Sequence, residues 1–240
     1  MNMKNIGFVT ALALALALPG VHAADITGVV TLKGTPSPEK EITPLKDDPT
    51  CGKMHATPPM THFYVVGSKG ELADVVVMLK GVTGKSTGAS ATPAVLDQRG
   101  CEYLPAILAV QTGQKITIKN SDPVLHNVHT TPMVAGNNEQ NQAQMQGAAD
   151  ITFAFDKTEN FLKFKCDVHP WMFAWVTVVD SPYFAVTDKD GKFTIKDVPP
   201  GKYTVTALHR KAAPAGVDQE VEVKADGTKA DFSLEVPAAK

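Results

Sequence analysis

The run Leu162-Lys-Phe164-Lys-Cys166-Asp-Val-His169-Pro-Trp-Met172 decides the fold. Leu162, Phe164 and Cys166 alternate onto one face, as in a half-buried strand, so the thiol points inward at the strand's end. Pro170 then forces a turn that brings His169 and Met172 back around the same point. Working outward, Lys115 to Lys119 alternates in the same way, with Ile116 and Ile118 on one face. Ile151, Phe153 and Phe155 do so again. Further short apolar runs at Ile26–Leu32, Val75–Leu79, Ile107–Val110 and Trp175–Val179 are separated by Gly, Pro, Asn and Asp, and no segment keeps a helical period. The chain therefore reads as all-β, sandwich or barrel-like.

Thiolate, imidazole and thioether are the soft and borderline donors that suit copper, and a trigonal His₂Cys set with a weak axial Met is a blue-copper geometry. Cys166, His169 and Met172 supply three donors. The fourth is best sought at His126, in Asn120-Ser-Asp-Pro-Val-Leu-His126-Asn127-Val128-His129, just after an alternating strand. His129 is an alternative donor, but three residues further along a strand its side chain points the other way. Zinc also accepts Cys and His; Met172 favours copper over it.

At this point the sequence resembles a family. Cupredoxins of the plastocyanin and amicyanin kind place their first histidine in an "HN" step after such a strand and the remaining ligands on one C-x-x-H-P-aromatic-M loop. The resemblance implies a Greek-key β-sandwich holding one type 1 copper ion through His126, Cys166, His169 and Met172. It also implies that Asn127 ties the two ligand segments together, and that backbone N–H groups stabilise the thiolate. Asp167 stands where amicyanin has a neutral residue, and a carboxylate there is expected to favour Cu(II) and lower the potential. If His169 lies at the surface as in cupredoxins, the apolar collar of Pro170, Trp171, Met172 and Phe173 is a docking patch for an unidentified redox partner near His169 and Trp171.

Downstream of Ser181-Pro182, the run Asp190-Gly-Lys-Phe-Thr-Ile-Lys-Asp-Val-Pro-Pro-Gly-Lys-Tyr-Thr-Val-Thr-Ala207 resembles carboxypeptidase-regulatory-like (transthyretin-like) modules. That implies a smaller β-sandwich-like unit, with two strands around an Asp190-Gly191 turn. The expected division is 1–23 as an export signal, 24–182 as a cupredoxin-like domain with an N-terminal extension, and 183–240 as the second module. About 55 residues is short for such a module, which is therefore expected to pack on the first domain or to borrow Ile26–Leu32 as its opening strand. As a whole the chain resembles exported two-module proteins grouped as methylamine-utilisation-type.

The first 23 residues run from Lys4 through an apolar stretch to Val21-His22-Ala23, the order of a cleaved secretory signal, which points to the periplasm. No later run approaches the roughly 20 apolar residues of a membrane helix. With 23 basic and 25 acidic side chains, a formal net charge of −2, nothing points to nucleic acid as partner. Three cysteines cannot all pair. Cys51 and Cys101 both sit in polar, turn-rich surroundings and are expected to form a disulfide, leaving Cys166 as a thiolate.

Met54, His55, Met60 and His62 form a second group of soft donors, read either as a further copper site or as scattered surface residues. His209 reads as solvent-facing. Residues 134–149 read as a long loop with room for a short helix within 138–146. No catalytic pairing stands out, so the expected function is one-electron transfer without enzymatic activity, with copper binding, delivery or resistance as the alternative.

Overall fold

A computed structural model describes residues 22–238; the expected export signal, residues 1–23, lies outside them except for its last two residues. Among the described residues the chain is all-β, as its alternation implies, with one short helix at Thr43–Asp47 and brief 3₁₀ turns at Gly52–Met54 and Gly88–Ser90.

The strand Glu159–Lys165 organises the first half. It pairs antiparallel with Phe173–Val179 on one side and with His126–Thr131 on the other. Ile107–Gln111 adds parallel to Phe173–Val179, and Asn141–Gln144 adds beyond His126–Thr131, giving a five-stranded sheet. A four-stranded sheet contains Glu102–Leu104, Ala94–Arg99, Ile116–Asn120 and Ile151–Phe153 in that order.

The inward residues of the two sheets, among them Leu96, Ile116, Ile118, Val128, Phe153, Leu162, Phe164 and Val176, make one buried core. Phe164 lies against Phe155 and Phe153, with ring centroids 5.9 and 6.4 Å apart. Cys166 and Met172 belong to this same core, so the candidate ligands sit at one end of a close-packed layer.

The segment 134–149, read as a loop with room for a short helix within 138–146, instead contains the strand Asn141–Gln144. Its backbone satisfies the otherwise open edge of His126–Thr131. Gln144 is buried there, its amide donating to the Ile118 and Ala149 carbonyls and accepting from Gln98. These partners outweigh the local helical permissiveness of Glu, Gln and Ala.

The strands of the second half, the two around Asp190-Gly191 among them, find partners well outside it. The strands flanking Asp190-Gly191 do not pair with each other: Phe184–Val186 joins Val76–Lys80, while Lys192–Val198 joins Ala24–Lys33. The turn thus carries the chain from one sheet to another. Nor does the hydrogen bonding follow a division at residue 182. Ala24–Lys33 also pairs parallel with Phe232–Glu235, and Val76–Lys80 lies between Phe184–Val186 and Gly201–His209. Residues 24–33 and 76–80 therefore share sheets with strands beyond 183, which is the borrowed-strand arrangement extended to a second strand. Gly28 permits the close approach, because a Cβ there would lie 1.9 Å from the Ala230 carbonyl oxygen. Val76, Ile107, Ala109 and Leu208, with Trp175 and Phe184 packed on them, join the two halves.

His209 is 3 % exposed, not solvent-facing. Its Nδ1 accepts the backbone N–H groups of Lys211 and Ala212, and its ring stacks on Tyr64 at 5.4 Å. Burial, helped by the neighbouring Arg210 charge, pushes its pKa down to about 4. A depressed pKa on a base contributes stability that is complete above the ordinary value near 6.5 and is lost as pH falls toward 4. Urea unfolding at pH 7 and pH 4 should therefore show about 3 kcal/mol more acid destabilisation in the native chain than in His209→Gln. Equal pH dependence in the two proteins would contradict this account of His209.

Candidate metal centre

His126 opens the strand His126–Thr131, and Cys166 directly follows Glu159–Lys165, its neighbour in the sheet. Adjacent strands bring the two residues together although 40 positions separate them. His169 arrives on the turn after Cys166. That turn is closed by the Met172 N–H donating to the His169 carbonyl at 2.9 Å and the Cys166 N–H donating to the Met172 carbonyl at 3.1 Å.

His126 Nδ1 and His169 Nδ1 are 3.0 Å apart, and the Cys166 sulfur lies 3.6 Å from His169 Nδ1 and 4.0 Å from His126 Nδ1. A trigonal site with bonds of about 2.0 Å to nitrogen and 2.3 Å to sulfur needs donor separations of about 3.5 to 3.7 Å. The triangle is within about half an ångström of that, so the three residues fit a His₂Cys metal site. His169 is 7 % exposed and Met172 1 %, and Met172 packs in the core cluster that contains Cys166.

The electrostatics favour the ligand forms of Cys166 and His169, and oppose the neutral form of His126 until a metal displaces its proton. Burial alone would raise the Cys166 pKa, but hydrogen bonds from His126 and from the backbone N–H groups of Asn127, His169 and Val168 outweigh it and lower it. The thiol is thus biased toward thiolate, the form that binds metal. For His126 burial acts downward, and the Asp122 and Cys166 partners raise it overall; for His169, burial and then the His126 charge both act downward.

Asp122 is one residue that sequence reasoning missed. One of its carboxylate oxygens accepts from His126 Nε2 at 2.9 Å and from the Cys101 N–H at 2.7 Å; the other accepts from the Gly100 N–H at 2.6 Å. Burial would raise its pKa, yet these donors hold it below the ordinary carboxylate value. Carboxylate–histidine pairs of this kind fix which ring nitrogen faces a metal. The available signal was the Asp122-Pro123 step, whose aspartate lies four residues before the histidine.

Asn127 makes the expected tie between segments. Its Oδ1 accepts the Asp167 N–H at 2.7 Å, its Nδ2 donates to Asn141 and Asp167, and its own N–H approaches the Cys166 sulfur at 3.5 Å. Tyr103, also unforeseen, donates its hydroxyl to the carbonyls of Asn127 and Lys165, clamping both ligand strands. His129 turns away, bonded to Asp167 and Glu139. Asp167 is further matched by Lys165 at 2.7 Å, and that bond, ahead of those from His129 and Asn127, holds its carboxyl far below the usual range. A compensated carboxylate exerts less of the field on the site that an isolated one would.

Cys51 and Cys101 form the expected disulfide, and Cys166 is free and buried. Sulfurs committed to each other are not ligands, which removes two other groupings around His169 and His126 that have the right spacing. The disulfide pins the N-terminal extension beside the centre: Ile42, Leu45 and Met54 pack with it and with Trp171. His169 is consequently buried, not surface-facing; of the collar, Pro170 is exposed and Trp171 half-buried, its ring 5.2 Å from that of His169 and its Nε1 donating to the Cys101 carbonyl. The second donor group is not gathered at one point. Met54 packs on the disulfide and His55 binds the Gly100 carbonyl, while Met60 and His62 line a neighbouring cleft.

Residues 175–231 match the family model of polysaccharide lyase family 4, domain II, which is not the carboxypeptidase-regulatory-like family that this part of the sequence resembles. No curated protein matches the chain. Among solved structures, the copper-containing nitrite reductase of Thermus scotoductus SA-01 is similar at 18 % identity and a TM-score of 0.33 over 42 % of this chain. The chain spans a quarter of that reductase's length, 25 %. An oxidised amicyanin variant is similar at 20 % identity and a reduced one at 21 %, each with a TM-score of 0.33, covering 42 % of this chain and 97 % of the amicyanin.

Proposed function

We propose that the chain is a periplasmic, cupredoxin-type copper protein that carries single electrons and has no enzymatic step of its own. The observation that carries this reading is the convergence of His126, Cys166 and His169 on one buried point, with a sulfur biased toward thiolate. His126, Cys166 and His169, with Met172 beside them, would hold copper, which would supply one-electron exchange between Cu(I) and Cu(II).

The chain's own residues limit reorganisation. Asp122 holds the His126 ring, Asn127 and Tyr103 hold the two ligand segments, and the surrounding core excludes water. A redox partner would reach the centre at the exposed Pro170 and the half-buried Trp171 beside His169.

Copper delivery is the competing reading, since the same donors bind the ion tightly in either role. The extension over His169 favours the carrier, because a covered ligand exchanges its metal slowly.

Adding Cu(II) to the purified protein and recording its visible spectrum and potential tests the proposal. An intense thiolate-to-copper band that is absent in Cys166→Ser, together with a reversible one-electron wave, is the expected result. A colourless, redox-silent protein would overturn it. Rapid loss of copper to a chelator would favour delivery instead.

A further inference from the structure

A cleft of about 120 Å³ lies where the extension, the Glu102–Ile107 segment, the ligand loop and the turn after His209 meet. Its walls include Phe63, Trp171, Phe173 and Trp175, and Arg210 lines it. An enclosed apolar cavity of roughly 150 Å³ accepts a benzene molecule; this cleft is smaller but partly open, so a bound ring would keep one edge toward solvent.

Two of the lining residues carry polar groups that lack partners. The buried Trp175 Nε1 has no hydrogen-bond acceptor. The Arg210 guanidinium forms no ion pair among the described residues and instead lies 4.8 Å from the Trp175 ring centre and 5.5 Å from that of Phe63. Lys211 sits 4.5 Å from the Phe63 ring centre, and Lys163 sits 5.4 Å from that of Phe173. Against these cations, Glu102 is the carboxylate among the lining residues. Glu39, the other acid near Arg210, is already occupied by the N–H groups of Phe63 and Tyr64.

We infer that this cleft binds a small single-ring aromatic carboxylate. The ring would lie between aromatic walls, and the carboxylate would take up the free donors of Arg210. An unpaired guanidinium stacked on aromatic faces keeps its hydrogen-bonding edge free for such a group. The cleft contains none of the three metal donors, so the inference stands independently of the proposed function. Occupancy would nonetheless place the ligand one side chain, Trp171, away from His169.

The test uses the full metal-free chain and benzoate. Both tryptophans of the sequence line the cleft, so intrinsic fluorescence reports on it without a label. Benzoate should change the emission saturably, cyclohexanecarboxylate should bind several-fold more weakly, and acetate should have no effect. Arg210→Gln should weaken benzoate binding about tenfold, as expected for a lost charge-assisted hydrogen bond.

Should that variant fold poorly, the indole N–H resonances of the native protein provide a second measurement. Benzoate, and not acetate, should shift the Trp175 signal. No saturable response to benzoate, or equal responses to benzoate and acetate, would overturn the inference.

Discussion

Replacing Cys51 and Cys101 together by Ser is expected to lower the unfolding free energy by about 4 kcal/mol, the chain-entropy value for a loop of some 50 residues. The bridge joins positions 50 apart, and its sulfurs are buried among Ile42, Leu45, Met54 and Trp171. Removing it frees the extension from the Gly100-Cys101 turn, leaving the His55 bond to the Gly100 carbonyl as a remaining direct tie to that turn. Cover over His169 should loosen with it. The variant should therefore lose bound copper to a chelator faster than the native protein. Urea denaturation reads the first effect and absorbance decay under chelator the second. Unchanged copper loss in a variant that is destabilised as expected would show that the extension does not guard the centre.

Phe164→Ala should cost a comparable amount, about 3 to 5 kcal/mol, through lost transfer energy and the cavity left behind. Phe164 is fully buried against Phe153 and Phe155, at the heart of the core between the two sheets. It also pairs with Ala174 and Thr130 in register, two residues before Cys166. The same change should broaden the distribution of ligand geometries, visible as a wider thiolate-to-copper band at temperatures where the variant remains folded. Stability within 1 kcal/mol of the native protein in urea titration would contradict the packing described for this ring.

The parts of this molecule visible in the sequence are those that local periodicity controls. Alternation placed Leu162, Phe164 and Cys166 on one face, and the all-β character followed from repeated short runs. The spacing of Cys166, His169 and Met172 could be read because a single turn joins them. His126 required a link between distant segments, and the strand preceding it, with the Asn127 step, marked it.

What escaped was set by pairing between remote strands. The borrowing of Ile26–Leu32 is legible, whereas nothing local to Val76–Lys80 announces that it too shares a sheet with strands beyond 183. Asn141–Gln144 is extended because an open edge and Gln98 await it, facts that lie outside its own composition. His209 reads as polar at a strand's end, yet the turn through Lys211 and Ala212 folds back to occupy its nitrogen. The burial of His169 likewise depends on an extension more than 100 residues earlier in the chain, joined through a disulfide to a turn beside the ligands.

The Asp122 carboxylate bonds simultaneously to His126 Nε2 and to the two amides of the turn that carries Cys101. With Nε2 donating to that carboxylate, Nδ1 is the nitrogen left to offer its lone pair toward Cys166 and His169. The turn's shape is in turn constrained by the bond to Cys51. The choice of imidazole tautomer at the metal point is thus connected to the covalent history of a cysteine pair that donates nothing to the ion. A chain whose sulfurs have not yet joined presents the same donor atoms with less certainty about which nitrogen is ready.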